Sequence, residues 1–188
     1  MKPKSLTTLA LLFLALLFLM LTGAAQAQTQ AAPPDPIAPF KNFYNNTKKN
    51  LIGAAEKMPA EHFSFKPTSD VRSYAEIFGH IIDTNYYACA ALRGEASPNK
   101  DDLEKTLKTK DDVVKAVKAS FEYCDGALKT LSEATLKETF KSGTRDVPKT
   151  SPLLLLIAHS QEHYGNLVTY LRLKGLVPPS SEPPPSKK

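Results

Sequence analysis

Ser151-Pro-Leu-Leu-Leu-Leu-Ile-Ala-His159-Ser-Gln-Glu-His163-Tyr-Gly-Asn-Leu-Val-Thr-Tyr170-Leu-Arg-Leu-Lys-Gly175 is the stretch on which the fold turns. Its punctuation predicts one long helix, with Ser151 as N-cap, Pro152 at the first helical position, and Gly175 with Pro178 as the stop. Leu155, Leu156, Leu167 and Tyr170 share a face with His159 and His163, so that face is expected to point into a bundle. Histidines four residues apart on a helix hold their Cβ atoms about 6 Å from each other. They can grip one metal ion or serve as a hydrogen-bonded structural pair. Some partner is needed, because an unpaired buried ring nitrogen costs roughly 1–3 kcal/mol. The zinc-protease motif is excluded: it puts Glu directly after the first His, whereas Ser160 follows His159 here.

Three further segments carry helical signals. Ile37, Phe40, Tyr44, Leu51, Ala54 and Met58 keep to one apolar face. Ser73-Tyr-Ala-Glu76 is a capping box opening a helix that ends at Arg93-Gly94. Thr109-Lys-Asp-Asp112 opens a third, with the stripe Val113, Val117, Phe121, Cys124, Leu128 and Leu131. No segment alternates with period two, so no sheet is expected. Residues 37–177 thus read as an all-α, up-and-down type four-helix bundle. The connections Pro98–Lys108 and Ser132–Lys149 are long for a simple bundle and suit a short extra turn or the rim of a site.

The ends differ in kind. Met1-Lys-Pro-Lys4, an apolar run from Leu9 to Leu21 and Ala25-Gln26-Ala27 describe a secretory signal peptide over residues 1–27. Cleavage near Ala27 would leave an exported protein, periplasmic or extracellular, with no stable membrane insertion. Residues 28–36 read as a Pro-rich linker and 178–188 as a Pro-rich disordered tail. The net charge of +5 falls to +3 without Lys2 and Lys4, too weak a field for nucleic acid. Lys100, Lys105, Lys108, Lys110, Lys115 and Lys118 interleave with Asp101, Asp102, Glu104, Asp111 and Asp112 as a mixed solvated face. GxSxG, Walker A and GxGxxG patterns do not occur, which removes the common esterase and nucleotide-binding readings.

Two histidines remain. His80 sits mid-helix after Gly79, and a helical Gly costs about 1 kcal/mol, so it often marks close packing against a neighbour. If that neighbour is the fourth helix, His80, His159 and His163 converge and leave coordination positions open. Otherwise His80 is a hydrogen-bonded core residue. His62, in a turn, reads as a loop residue with a minor claim to be a fourth ligand.

Phe65-Lys-Pro67 followed by Val71-Arg-Ser-Tyr-Ala-Glu-Ile-Phe-Gly-His80, together with the stretch from His159 to Pro179, resembles the DinB-like family of four-helix metal-binding proteins. These are unrelated to the DNA polymerase of that name. The resemblance spans Ile37 to about Pro178 and implies a metal triad at His80, His159 and His163, with Zn²⁺ or Ni²⁺ as the expected ion. It also implies an activity of the kind known in the family, mostly thiol-dependent transfer or isomerisation. An exported chain would rarely meet the low-molecular-weight thiols that the cytoplasmic relatives use.

Around that triad, Glu76, Thr84 and Tyr87 share the angular face of His80. Asp83 and Glu162 are candidates to orient a ligating ring, and Tyr87 and Tyr170 candidates for the pocket. Each also has a plain alternative, as a solvated charge or core aromatic. Cys89 and Cys124 form a possible disulfide in an oxidising compartment. The expected function is a metal-dependent hydrolase or transferase on a small molecule. The alternative is a non-catalytic metal- or ligand-binding bundle, and a homodimer is possible.

Overall fold

The computed structural model describes residues 35–183, so the signal-peptide reading and most of the linker lie outside the described residues. Four long helices form the body: α1 (Ala38–Lys57), α2 (Tyr74–Arg93), α4 (Lys110–Lys129) and α6 (Thr150–Leu173). Single-turn helices α3 (Leu103–Thr106) and α5 (Glu133–Leu136) occupy the two long connections. A hairpin, β1 (Thr139–Ser142) with β2 (Arg145–Pro148), follows α5. None of the described helices is long and apolar enough to cross a membrane.

Both α1 and α2 pack along α4 and α6, and α3 lies on α2. Leu51, Phe78, Ile81, Phe121, Leu156 and Leu167 meet in one core, each at most 1% exposed. Asn85 donates to Ser120 (3.2 Å) and accepts from Ser160 (3.4 Å), a buried polar link between α2, α4 and α6. Such a link resists rotation of one helix against another, because turning would leave the groups unpaired. Cys89 of α2 and Cys124 of α4 are joined by a disulfide, with Cα atoms 5.2 Å apart.

The expected caps at α2 are present. Ser73 accepts from Glu76 N, Glu76 accepts from Ser73 N at 2.7 Å, and Gly94 ends the helix at φ +73°. Thr109 caps α4 through Asp112 N. Three expectations need correction. First, α6 begins at Thr150 after an uncapped Lys149, so Ser151 and Pro152 lie inside its first turn. Second, the hairpin forms although no sheet was expected: its four-residue strands are too short to show alternation, and Gly143 turns the chain at φ +62°. Third, the start of the supposed disordered tail is packed. Pro179–Ser181 forms a 3₁₀ turn, Ser180 exchanges hydrogen bonds with the Tyr164 hydroxyl, and Glu182 pairs with Lys57. Gly53 makes room for it, since a Cβ there would lie 3.1 Å from Pro179 Cγ.

Candidate metal centre

α2 and α6 pack side by side, and the middle turns of both carry the histidines. His80, His159 and His163 each offer one nitrogen in a set lying within 4.8 Å of one another. Their ring centroids are 4.4–4.9 Å apart, and the Nε2 atoms of His80 and His159 are 3.0 Å apart. Thr84, one turn after His80, places its hydroxyl 3.4 Å from His159 Nε2. Leu156, Leu167 and Tyr170 are buried on the histidine face of α6, whereas Leu155 stands at its edge, 37% exposed.

What lies behind His80 was not anticipated. Gly79 does not admit α6: an added Cβ would fall 2.3 Å from the carbonyl oxygen of Leu103 and 2.5 Å from Glu104 Cα. The glycine therefore admits the α2–α4 connection, and with it Glu104, whose Oε2 lies 2.9 Å from His80 Nδ1. Asp83, one turn further along α2, holds that connection in place. Its carboxylate accepts from Leu103 N (3.1 Å), Glu104 N (3.3 Å) and Asn99 Nδ2 (2.8 Å). Asp83 thus acts at one remove, through the backbone that carries Glu104, rather than on a ring. Glu104, read from sequence as a solvated charge, is the carboxylate that orients the ring, and its other oxygen accepts from Arg72 Nε at 2.8 Å. A mid-helix Gly beside a His, with an acidic residue one turn on, was the available signal.

The remaining candidates separate. Glu162 is exposed on α6. Tyr87 is 50% exposed and lies beside Phe140 and Gly143 of the hairpin, away from the triad. Tyr170 is buried, and its hydroxyl donates to the Arg72 carbonyl at 2.6 Å. Glu76 is spent on capping α2 and on Lys66. His62 sits in the 3₁₀ turn Ala60–His62, outside the cluster.

The electrostatics favour the neutral form of the two histidines on α6. Burial, then the neighbouring His163 and His80, push His159 down to about 4. Burial and then His80 lower His163. Burial works to raise the Glu104 carboxyl, but Arg72 and then His80 hold it below the ordinary carboxylate range. The Nδ1 of His80 lies against the Glu104 carboxylate, which turns its Nε2 towards the other rings. His159 Nδ1 is buried without a hydrogen-bond partner. Three imidazoles, one of them with an orphaned nitrogen and one braced by a carboxylate, fit a divalent ion of the Zn²⁺ or Ni²⁺ kind.

Two predictions follow from this arrangement. Glu104→Ala should weaken divalent-ion affinity about 10- to 100-fold, and Glu104→Gln less, as read by competition against a chromophoric chelator. The second concerns acid. Unfolded His159 titrates near 6.5 and folded His159 near 4, so between those values the unfolded chain binds a proton that the folded chain refuses. Stability of the metal-free protein should be full above about pH 6.5 and fall as pH drops towards 4. Urea midpoints at successive pH values would show it, and His159→Gln should flatten the upper part of the curve.

His163 alone of the three histidines reaches a cleft of about 920 Å³, whose walls include Glu104, Arg72, Lys66, Asp70, Asn166 and Tyr170.

Known proteins place the chain. Residues 44–167 match the sequence profile of the DinB superfamily. The uncharacterized protein YjoA of Bacillus subtilis is 30% identical over 125 residues, 64% of this chain and 79% of that protein. The crystal structure of that DinB-like protein superposes with a TM-score of 0.60 at 27% identity, covering 73% of this chain and 92% of YjoA. A DinB-like protein from Bacillus cereus shares the fold, with a TM-score of 0.64 at 16% identity over 76% of this chain and 95% of its own. The match covers two thirds of the sequence and takes in His80, His159 and His163, and on that ground the chain belongs to the DinB superfamily.

Proposed function

We propose that the protein is an exported, metal-dependent enzyme, a hydrolase or transferase acting on a small molecule bound in the cleft above His163. The observation that carries this reading is the three-imidazole cluster within 4.8 Å, braced by Glu104 and reaching the cleft through His163. When bound, a divalent ion would supply Lewis acidity towards a substrate oxygen. His80, His159 and His163 would hold it, Glu104 would keep the His80 proton on Nδ1, and the cleft walls would orient the substrate. Export is supported by the signal-like residues 1–27 and by a buried disulfide suited to an oxidising compartment.

A non-catalytic metal-holding bundle is the second reading. It is favoured by the engagement of two of the three cleft carboxylates: Glu76 and Glu104 are already held by cations and hydrogen-bond donors, which leaves Asp70. Activity screening separates the two. Purified protein loaded with Zn²⁺ or Ni²⁺ would be assayed against panels of esters, amides and thiol acceptors, alongside chelated protein and His163→Ala. Turnover present only in the loaded parent supports the enzyme. Stoichiometric metal without turnover across the panels supports the holder. Mass analysis of the exported fraction tests localisation, with a chain beginning at Gln28 expected.

A further inference from the structure

The cleft has a charge pattern that points to the chemistry of its ligand. Its cationic side chains are Lys66, Arg72 and Lys105, and its acidic ones Asp70, Glu76 and Glu104. Lys66 is taken up by Glu76 at 3.0 Å and Lys105 by Asp102 at 2.6 Å. Arg72 differs. It immediately precedes the N-cap of α2, and its carbonyl is fixed by the buried Tyr170 hydroxyl at 2.6 Å, so two bundle helices set its position. Its Nε is spent on Glu104, but among the described residues its two Nη groups have no hydrogen-bond partner, and the side chain is 40% exposed on the cleft wall. Guanidinium presents its donors as a rigid planar fork that matches a carboxylate.

The balance around the triad points the same way. Arg72 and Glu104 cancel each other, as do Lys66 and Glu76, so a divalent ion on three imidazoles would have only the Asp70 carboxylate of the cleft to offset its charge. An anionic ligand would offset the rest and accept from the free Nη groups of Arg72. Asn166, three residues beyond His163 on the same side of α6, and Thr169 add polar groups to that wall.

We infer that the cleft takes a small carboxylate-bearing molecule, its carboxylate held by the free Nη edge of Arg72 while another oxygen faces the histidine cluster. This rests on the metal reading above and names the class of substrate for the same site. Arg72 is then a binding residue, and Tyr170 a positioning residue acting through the Arg72 backbone.

The test uses Co²⁺-loaded protein, whose visible bands report both ion uptake and ligand arrival. Malonate and its uncharged analogue malonamide are titrated at saturating Co²⁺ into the parent, Arg72→Gln and Arg72→Lys. Malonate should bind the parent at least about tenfold tighter than malonamide, and Arg72→Gln should lose about 10- to 100-fold of malonate affinity. Arg72→Lys should fall between. Where Arg72→Gln also loses Co²⁺ through Glu104, Arg72→Lys carries the comparison, and malonate affinity equal to the parent's overturns the inference. So does equal binding of malonate and malonamide by the parent. A parent that takes up no Co²⁺ overturns the metal reading itself, which distinguishes the two failures.

Discussion

Replacing His159 with Ala is expected to abolish stoichiometric metal, lowering affinity by more than the ~100-fold that loss of an outer hydrogen-bond partner can cost. His159 and His163 form the i,i+4 half of the cluster on α6, and His80 completes it from α2. Without His159, two imidazoles from different helices remain, and the residual set has no chelating pair on one helix. The metal-free fold should survive. His159 carries a buried nitrogen with no partner, so its removal also removes an unmet polar group, which offsets part of the packing lost. Isothermal titration with Zn²⁺, read beside helical circular dichroism, checks both halves. A variant that is strongly destabilised yet binds metal as the parent does would mean that the histidines are core hydrogen-bonders and nothing more.

Reducing the Cys89–Cys124 bond is expected to give the largest change in stability. The bridge closes a 35-residue separation, for which loop-closure entropy alone gives about 4 kcal/mol. Both cysteines are 0% exposed in the core where α2 meets α4, so a Cys89→Ala, Cys124→Ala variant also loses sulfur packing. Since α2 carries His80, looseness there should reach the triad, and metal affinity in the double variant should fall together with stability. Urea unfolding of oxidised, reduced and double-variant protein measures the effect. A loss below about 1 kcal/mol would show that the reduced chain is already constrained in its unfolded state.

Much of this molecule could be read from local signals. The capping box at Ser73, the glycine stop at Gly94 and the apolar stripe from Val113 to Leu131 each act within one or two turns, so they are legible without knowing the neighbours. The same holds for the His159–His163 pair. Glu104 was different. Its place depends on where the α2–α4 connection falls, and that is decided by a missing Cβ at Gly79 and three donors meeting Asp83. The glycine was read as a sign of close approach, but the approaching chain was taken to be the wrong one. Arg72 escaped notice for a related reason: its neighbours Glu104 and Tyr170 are 32 and 98 residues away in sequence. The Pro178–Glu182 segment looked solvated by composition, yet Pro179 finds a flat seat at Gly53 and Ser180 a buried hydroxyl on Tyr164. Composition reports what a segment could bury by itself and is silent about a seat prepared elsewhere.

On the proposed reading His80, His159 and His163 together hold one divalent ion. Elemental analysis of the untagged protein, before and after Zn²⁺ or Ni²⁺ is offered, decides it. About one ion per chain, lost on His159→Ala, is the predicted result. A folded parent that retains no ion at neutral pH, even after both metals are supplied, would contradict it.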